Sequence, residues 1–276
     1  MGNEFSNIYD MDKHIPEIYD QLENGKNDID FLLNKLKKMN SPKILEPFCG
    51  TGRLLLPLAK NGYKITGIDI SRAMLEHLKT KINRLDKSIQ NNIELIQDDV
   101  LNINWPKAFD LIILGCNCLY ELPTSQTQKT VIEKAFNSLN PGGLLFIDND
   151  NMEGLLDKSW CDIGVKKKIF PSGICSHGVK IQGFAKAIWV DRKKRLWKAK
   201  RRIEVIYPNG KKEEKTYIQQ KHPVSAEEIK GWLNEFGFEI LEMYSGLKQK
   251  EKFKKGSKRV TFLARKTVID NNFNVK

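Results

Sequence analysis

The chain has 276 residues, of which 40% are hydrophobic and 9% aromatic, enough for a large globular core. No run of eighteen apolar residues occurs, so no membrane span is expected, and the polar, acidic first twenty residues are not typical of a signal peptide. The net charge is +12, and the odd count of five cysteines predicts reduced thiols in a cytoplasmic protein.

Helices and strands alternate over the first 150 residues. Amphipathic patterns predict helices at 28–38, at 53–62, after Ser71 and around 126–139. Ser71 is well placed to cap the N-terminus of its helix. Short apolar runs predict strands at 43–47, 63–70, 93–97, 109–115 and 144–150. This alternation predicts a parallel sheet covered by helices on both faces, with a ligand at the carboxyl ends of the strands.

A basic insertion follows the fifth strand. Residues 158–222 contain 18 Lys and Arg and 5 Asp and Glu, a balance of +13, whereas the remaining residues balance at −1. Strands are predicted at 181–191, 195–207 and 213–222, with Asn209-Gly210 as a hairpin signal. We therefore expect a small antiparallel sheet inserted into an otherwise neutral protein.

The turn after the first strand reads Glu46-Pro47-Phe48-Cys49-Gly50-Thr51-Gly52. A dinucleotide fingerprint needs a third glycine where Leu55 stands, and the phosphate-loop sequence G-x-x-x-x-G-K-[ST] is absent. Further acids end the second strand, at Asp69, and follow the third, at Asp98 and Asp99. Three acids at three successive strand ends indicate a bound small molecule with several hydrogen-bond donors.

This arrangement resembles the class I S-adenosylmethionine-dependent methyltransferases, whose first motif is E/D-x-G-x-G-x-G. Phe48 replaces the first glycine of that motif. The resemblance covers roughly residues 28–150 and 222–266. It implies a Rossmann-like, doubly wound, mostly parallel α/β sheet, here with a small antiparallel β lid inserted after the fifth strand. Some small-molecule methyltransferases, including glycine and amino-sugar N-methyltransferases, carry a similar lid.

The resemblance also implies the cofactor, S-adenosylmethionine, and its product, S-adenosylhomocysteine. Glu46 would favour the cofactor's ammonium, Asp69 would accept from both ribose hydroxyls, and Asp99 would accept from the adenine amino group. The full set of expected cofactor-binding residues is Tyr19, Glu46, Phe48, Gly50, Gly52, Arg53, Asp69, Ile70, Asp98, Asp99, Val100, Gly115 and Cys116.

The sequence offers fewer signals for the residues that bind and activate the methyl acceptor. Asn117, Tyr120 and Glu121, in the loop after the fourth strand, are the candidate catalytic residues; a loop-closing amide, a packed ring and a surface acid are the structural alternatives. Arg201, Tyr207 and His222 are candidate substrate-binding residues. Strand alternation places Arg201 among apolar residues, where an arginine needs an anion, either a protein carboxylate or the substrate's own. His222 is either a base or a hydrogen-bonded structural histidine. No metal site is expected.

The expected organisation is a cofactor-covering segment at 1–27, in which Tyr19 or Tyr9 packs near the cofactor, a core at 28–150 and 223–268, a lid at 151–222, and a tail at 269–276. The leading function is methyl transfer to a small-molecule acceptor. The alternatives are an RNA methyltransferase that uses the basic lid and a catalytically inactive cofactor-binding protein. Besides RNA, the basic run is explained by a solvated outer face of the lid or by an acidic small substrate.

Overall fold

The computed structural model describes residues 7–247 and 251–267, so the expected tail at 269–276 lies outside the described residues. The α-helices are α1 Ile15–Leu22, α2 Asn27–Leu36, α3 Leu55–Lys60, α4 Arg72–Ile82, α5 Lys87–Gln90, α6 Cys118–Glu121, α7 Ser125–Ser138 and α8 Ala226–Phe236. The strands are β1 Lys43–Pro47, β2 Lys64–Asp69, β3 Ile93–Gln97, β4 Phe109–Leu114, β5 Leu139–Asp150, β6 Lys166–Ile174, β7 Lys180–Asp191, β8 Leu196–Ile206, β9 Lys212–Lys221, β10 Phe238–Gly246, β11 Glu251–Lys252 and β12 Arg259–Lys266.

The larger sheet confirms the predicted parallel α/β core. Its strand order is β11-β10-β12-β5-β4-β1-β2-β3, in which β1 to β5 are mutually parallel and β12 runs antiparallel between β5 and β10. The strand order reverses between β1 and β4. In open α/β sheets, ligands bind at the carboxyl ends of the strands beside such a reversal.

Two local predictions differ from the structure. The fifth strand begins at Leu139 rather than 144, because the Pro-Gly-Gly segment stays within the strand as an irregular stretch with Gly142 at a φ of 76°. The lid has a fourth strand, β6, that the sequence did not predict. Its run of three lysines at 166–168 hides the alternation on which a strand prediction depends.

The lid is an antiparallel sheet in the order β6-β7-β8-β9. Its inner face is buried and mostly apolar, and includes Ala199, Ile203 and Val205, whereas Lys198 and Lys200 are exposed on the outer face. The predicted strand 195–207 ends at Ile206, so Tyr207 lies in the turn that follows. Its ring packs against His14, with 6.4 Å between ring centroids, and against the same apolar cluster as Ile203 and Val205.

The N-terminal segment, residues 7–27, fills the space between core and lid. Met11, Ile15 and Ile18 are fully buried and pack in one cluster with lid residues such as Ile203 and Val205. Burying three such side chains stabilises the assembly of core and lid by several kcal/mol, at about 1.5–3 kcal/mol each. The segment is therefore a structural part of both units.

Carboxylates attach this segment on both sides. Towards the core, Asp10 accepts from the Ser71 hydroxyl at 2.7 Å, and Asp20 pairs with Lys81 at 2.6 Å. Towards the lid, Asp12 pairs with Lys215 at 2.9 Å, and Glu17 accepts from the Ser176 N–H at 2.6 Å.

Within the described ranges, none of the helices combines the length and apolarity that crossing a membrane requires.

The glycine turn after β1 gives a prediction about stability. Gly52 has a φ of 80°, and a Cβ there would lie 2.5 Å from Cδ1 of the fully buried Leu78. We expect Gly52→Ala to lower the free energy of unfolding by about 2–5 kcal/mol, from a left-handed backbone cost of about 1–2 and overpacking of about 1–3. Urea unfolding measures it.

Gly62 is the matched control, because it has a φ of 89° and no atom within 4 Å of a built Cβ. Gly62→Ala should show only the backbone cost. Equal destabilisation by the two variants would contradict the packing role of Gly52.

Candidate active site

A cavity of about 460 Å³ opens at the carboxyl ends of the parallel strands. The core, the N-terminal segment and the lid each contribute to its wall. Its lining consists of Phe48, Gly50, Asp69, Ile70, Met74, Asp99, Val100, Leu101, Gly115, Cys116, Cys118, Glu121, Leu122 and Pro123 from the core, Asn7, Ile8, Tyr9 and Tyr19 from the N-terminal segment, and Tyr217, Ile218, Gln219 and Gln220 from the lid.

The glycine turn adopts left-handed backbone at three alternate positions. Phe48, Gly50 and Gly52 have φ angles of 65°, 52° and 80°. Phe48 therefore keeps the backbone conformation of the glycine that it replaces in the motif, at a cost on the order of 1–2 kcal/mol. Only Phe48 and Gly50 line the cavity; Gly52 lies against α3 and α4, so its role is packing.

Asp69 is held at the cavity by two backbone donors. The Gly50 N–H donates to its Oδ2 at 2.7 Å, and the Ser71 N–H donates to its Oδ1 at 2.8 Å. Each carboxylate oxygen keeps a lone pair for a ligand. Burial raises the pKa of Asp69 to about 6, although these two hydrogen bonds act to lower it.

Glu46 is buried at the end of β1 and is not part of the cavity lining. Its Oε2 atom has no hydrogen-bond partner. Burial raises the pKa of Glu46 to about 8, against the attraction of Arg53, which acts to lower it. A cation bound nearby would stabilise the ionised form, so this carboxyl fits a ligand that brings an ammonium group.

Arg53 is fully used by the protein itself. It forms an ion pair with Asp28 of α2, donates to the Gly25 carbonyl at 2.8 Å, and contacts the Cys116 sulfur through two nitrogens. Cys116 and Asn117 both have left-handed backbone, with φ of 57° and 60°. Arg53 thus lies outside the lining and positions the strained loop after β4.

The two acids after β3 differ in whether they line the cavity. Asp98 is exposed, outside the lining, and accepts the Asp99 N–H at 2.7 Å. Asp99 lines the cavity and accepts from the Leu101 N–H at 2.9 Å, and the adjacent Val100 is a buried lining residue.

Of the three candidate catalytic residues, the structure places only Glu121 in the cavity. The Asn117 amide bridges to Asp150, whose N–H it accepts at 2.6 Å, and the buried Tyr120 ring packs on Trp160 at 6.3 Å between centroids. These contacts correspond to the loop-closing amide and the packed ring.

Glu121 is a half-buried, ionised carboxylate, with 33% of its side chain exposed. Lys221 donates to its Oε1 at 2.7 Å, and the Gln219 amide donates to its Oε2 at 3.1 Å. Burial acts to raise the pKa of Glu121, but the Lys221 ammonium outweighs it and lowers the pKa below its usual value.

The candidate substrate-binding residues lie apart from one another. Tyr207 and His222 are outside the lining of this cavity, and Arg201 lines a second, neighbouring one. The His222 Nδ1 lies 2.8 Å from Gln128 Oε1, and burial lowers the pKa of His222. Those contacts fit the structural histidine.

The sequence did not single out Tyr217 and Gln219. Both are buried on the inner face of β9 and line the cavity. The alternation within the predicted strand 213–222 was the available signal. Tyr9 and Tyr19, expected near the cofactor, both line the cavity and pack edge-to-face at 6.2 Å between ring centroids.

Known methyltransferases resemble this chain in sequence. Residues 44–143 match a methyltransferase domain family. A protein of Geobacillus sp. (strain WCH70) that is named as a methyltransferase is 25% identical over 240 residues, which cover 86% of this chain and 90% of that protein. Residues 44–143 are therefore a methyltransferase domain.

Two solved structures share the fold of this methyltransferase. An S-adenosylmethionine-dependent methyltransferase from Clostridium acetobutylicum ATCC 824 aligns with a TM-score of 0.70 at 19% identity, covering 91% of this chain and 97% of that chain. An amino-pentose methyltransferase from Micromonospora echinaspora, solved with S-adenosylmethionine bound, aligns with a TM-score of 0.62 at 16% identity, covering 97% and 100%. S-adenosylmethionine, the cofactor predicted for this chain, is thus the ligand of a protein that shares its fold.

The residues present fit this cofactor. The cavity offers the open backbone of Gly50, where a Cβ would lie 3.3 Å from the Met74 methyl group. It offers the spare lone pairs of Asp69 and the apolar side chains of Ile70 and Val100. The orphaned Glu46 oxygen, just outside the lining, suits a positively charged ligand group.

Cofactor affinity should depend on pH through Asp69. We propose that its carboxylate accepts from the ribose hydroxyls, so that binding requires the ionised form. Because the pKa of Asp69 is about 6, the affinity for S-adenosylhomocysteine should fall by up to about tenfold per unit as the pH drops below 6. Calorimetry between pH 5 and 6.5 measures it.

Asp69→Asn is the control. It should weaken binding by roughly 1.5–3 kcal/mol at neutral pH, the range for a hydrogen bond to a charged group, and flatten the profile. A profile that keeps its slope in this variant would assign the dependence to another group. NAD should not bind to either protein.

Proposed function

We propose that this methyltransferase transfers the methyl group of S-adenosylmethionine to an amine nitrogen of a small molecule that binds beneath the lid. The observation that carries the proposal is Glu121, a half-buried carboxylate in the cavity wall that Lys221 keeps ionised. We also infer a cytoplasmic enzyme, since all five cysteines are free.

The cofactor half of the cavity is formed by the core. In our proposal the Gly50 backbone approaches the cofactor closely and Asp69 accepts from the ribose hydroxyls. Asp99 and Val100 face the adenine, and Ile70 packs against it. All five residues line the cavity, which supports these roles.

The acceptor half is formed by Glu121, by Tyr9 and by the lid residues Tyr217 and Gln219. The Tyr217 hydroxyl is buried without a hydrogen-bond partner and is free to pair with the acceptor. Burial raises the pKa of Tyr217 and of Tyr9, so both hydroxyls stay protonated at neutral pH. The lid thus excludes water and supplies a neutral hydroxyl.

Bound S-adenosylmethionine supplies a methyl group on a positively charged sulfur. In methyl transfer to an amine the carbon–sulfur bond breaks, the carbon–nitrogen bond forms, and the positive charge moves to nitrogen. Glu121 stabilises that developing charge, because a fixed carboxylate in a water-poor cavity needs no reorganisation. The methylated nitrogen later releases its proton to solvent.

The low pKa of Glu121 favours this assignment over an alcohol acceptor. A hydroxyl must lose its proton to a base as it attacks, and a carboxylate with a lowered pKa is a weak base. A neutral amine already offers a lone pair. The fold of the amino-pentose methyltransferase supports a small-molecule acceptor of this kind.

Glu121→Gln should lower kcat/KM for amine acceptors by about 10–100-fold through kcat, and leave the affinity for S-adenosylhomocysteine unchanged. Methyl transfer to a panel of amino sugars and amino acids measures the first, and calorimetry the second. Glu214→Gln, on the outer face of the lid, is the matched control.

Lys221 loses its partner in Glu121→Gln, so Glu121→Gln/Lys221→Met removes the whole pair and should show the same loss of activity. Full activity in this folded double variant would contradict the role of the carboxylate.

Charge reversal on the outer face of the lid tests the RNA alternative. Its outer face is partly neutralised, since Arg202 pairs with Glu204 and Glu214. Reversing Lys198, Lys200 and Arg202 to Glu should therefore leave amine methylation unchanged. If the lid instead bound RNA, the affinity for total RNA would fall steeply with salt and disappear in this variant. Methylation of RNA with no accepted amine would overturn our proposal.

A further inference from the structure

A second cavity, of about 200 Å³, lies on the inner face of the lid beside the main one. The indole rings of Trp160 and Trp197 contribute to its apolar wall and meet edge-to-face at 5.3 Å between centroids. Three cations, Lys167, Arg201 and Lys221, also line it. A space with this lining suits a molecule that has an apolar or planar body and a negative group.

The three cations differ in their partners. Lys167 pairs with Asp162 at 2.6 Å, and Lys221 pairs with Glu121 at 2.7 Å. Arg201, only 3% exposed, donates instead to two neutral oxygens, those of the Gln219 amide and the Phe170 carbonyl.

The Arg201 Nε atom is buried and has no acceptor. A buried guanidinium is costly unless an anion compensates it, and an unsatisfied buried N–H adds to that cost. The nearest compensation that the described residues give Arg201 is the attraction of Glu121, with Gln219 hydrogen-bonded to both. Arg201 therefore lines the second cavity with one N–H unsatisfied and with no carboxylate in ion-pair contact among the described residues.

The two cavities share a wall. Gln219 and Glu121 line the main cavity, Arg201 lines the second, and the Gln219 amide bridges the two charged side chains. A ligand amine at Glu121 and a ligand anion at Arg201 would therefore be separated by about the span of one amide side chain and its two hydrogen bonds.

We propose that the second cavity binds a carboxylate or phosphate at the far end of the methyl acceptor, with Arg201 as its anchor. The proposal rests on the amine acceptor proposed above and deepens it: the substrate is an amine acid with an apolar or planar body. Glu121 recognises its positive end and Arg201 its negative end, so that the nitrogen is held facing the cofactor.

The test uses protein saturated with S-adenosylhomocysteine, so that the cofactor half is filled. Binding of 4-fluorobenzoate, 4-fluorophenyl phosphate and the uncharged 4-fluorobenzyl alcohol is followed by fluorine NMR. At least one anion should bind tenfold or more tightly than the alcohol, and the stronger anion identifies the group. Equal binding of all three probes, or no binding of any, would overturn the proposal.

Arg201→Gln should lower the affinity for the anion about 10–100-fold. The affinities for the alcohol and for S-adenosylhomocysteine should not change. Arg202→Gln, its neighbour on the outer face, is the matched control and should change nothing. An unchanged anion affinity in a folded Arg201→Gln would also overturn it. If that variant does not fold, the preference of the wild-type protein for an anion still decides.

A crystal soaked with 4-bromobenzoate locates the site. The bromine signal should lie beside Trp160 and Trp197, with the carboxylate facing Arg201; a signal elsewhere would contradict the assignment. These measurements need no turnover. If neither anionic probe binds in the second cavity but Glu121→Gln still loses amine methylation, the anion site is rejected and the amine acceptor is retained.

Discussion

The cavity depends on the N-terminal segment being fixed between the core and the lid. Its carboxylates pair in both directions, with Asp20 to Lys81 of the core and Asp12 to Lys215 of the lid, while Ile15 and neighbouring apolar residues are fully buried. The pairs alone would be weak at a surface, but the burial between them is not. Together with the direct pair between Lys221 of the lid and Glu121 of the core, this segment fixes the lid over the strand ends, so that the two halves of the site meet.

The environment of each carboxylate decides what it can do. Glu46 is buried and Asp69 is partly buried, and desolvation raises their pKa values to about 8 and about 6. Both are suited to a ligand that supplies positive or hydrogen-bond-donating groups. Glu121 is half-buried, and Lys221 keeps it ionised. The same side-chain chemistry therefore supports cofactor binding at one end of the cavity and charge stabilisation at the other.

The fold and the cofactor half could be predicted because their signals are local. A strand, a glycine turn and a strand-end acid are contiguous in sequence, and parallel pairing brings Gly50, Asp69 and Asp99 together at one edge. The acceptor half could not be predicted in the same way. Whether Asn117 or His222 faces a cavity depends on partners distant in sequence, which here are Asp150 and Gln128.

Strand alternation explains both the success and the failure within the lid. It correctly separated the exposed Lys198 and Lys200 from the inner face, and it placed Arg201 among buried residues. Tyr207 follows the end of β8, yet its ring still packs with the same apolar cluster as Ile203 and Val205. What alternation could not show is that Tyr207 lies outside the lining of both cavities. The net charge of the lid is thus a poor guide to its function: the outer cations are solvated or paired, whereas one buried arginine with an unsatisfied N–H carries the information about the ligand.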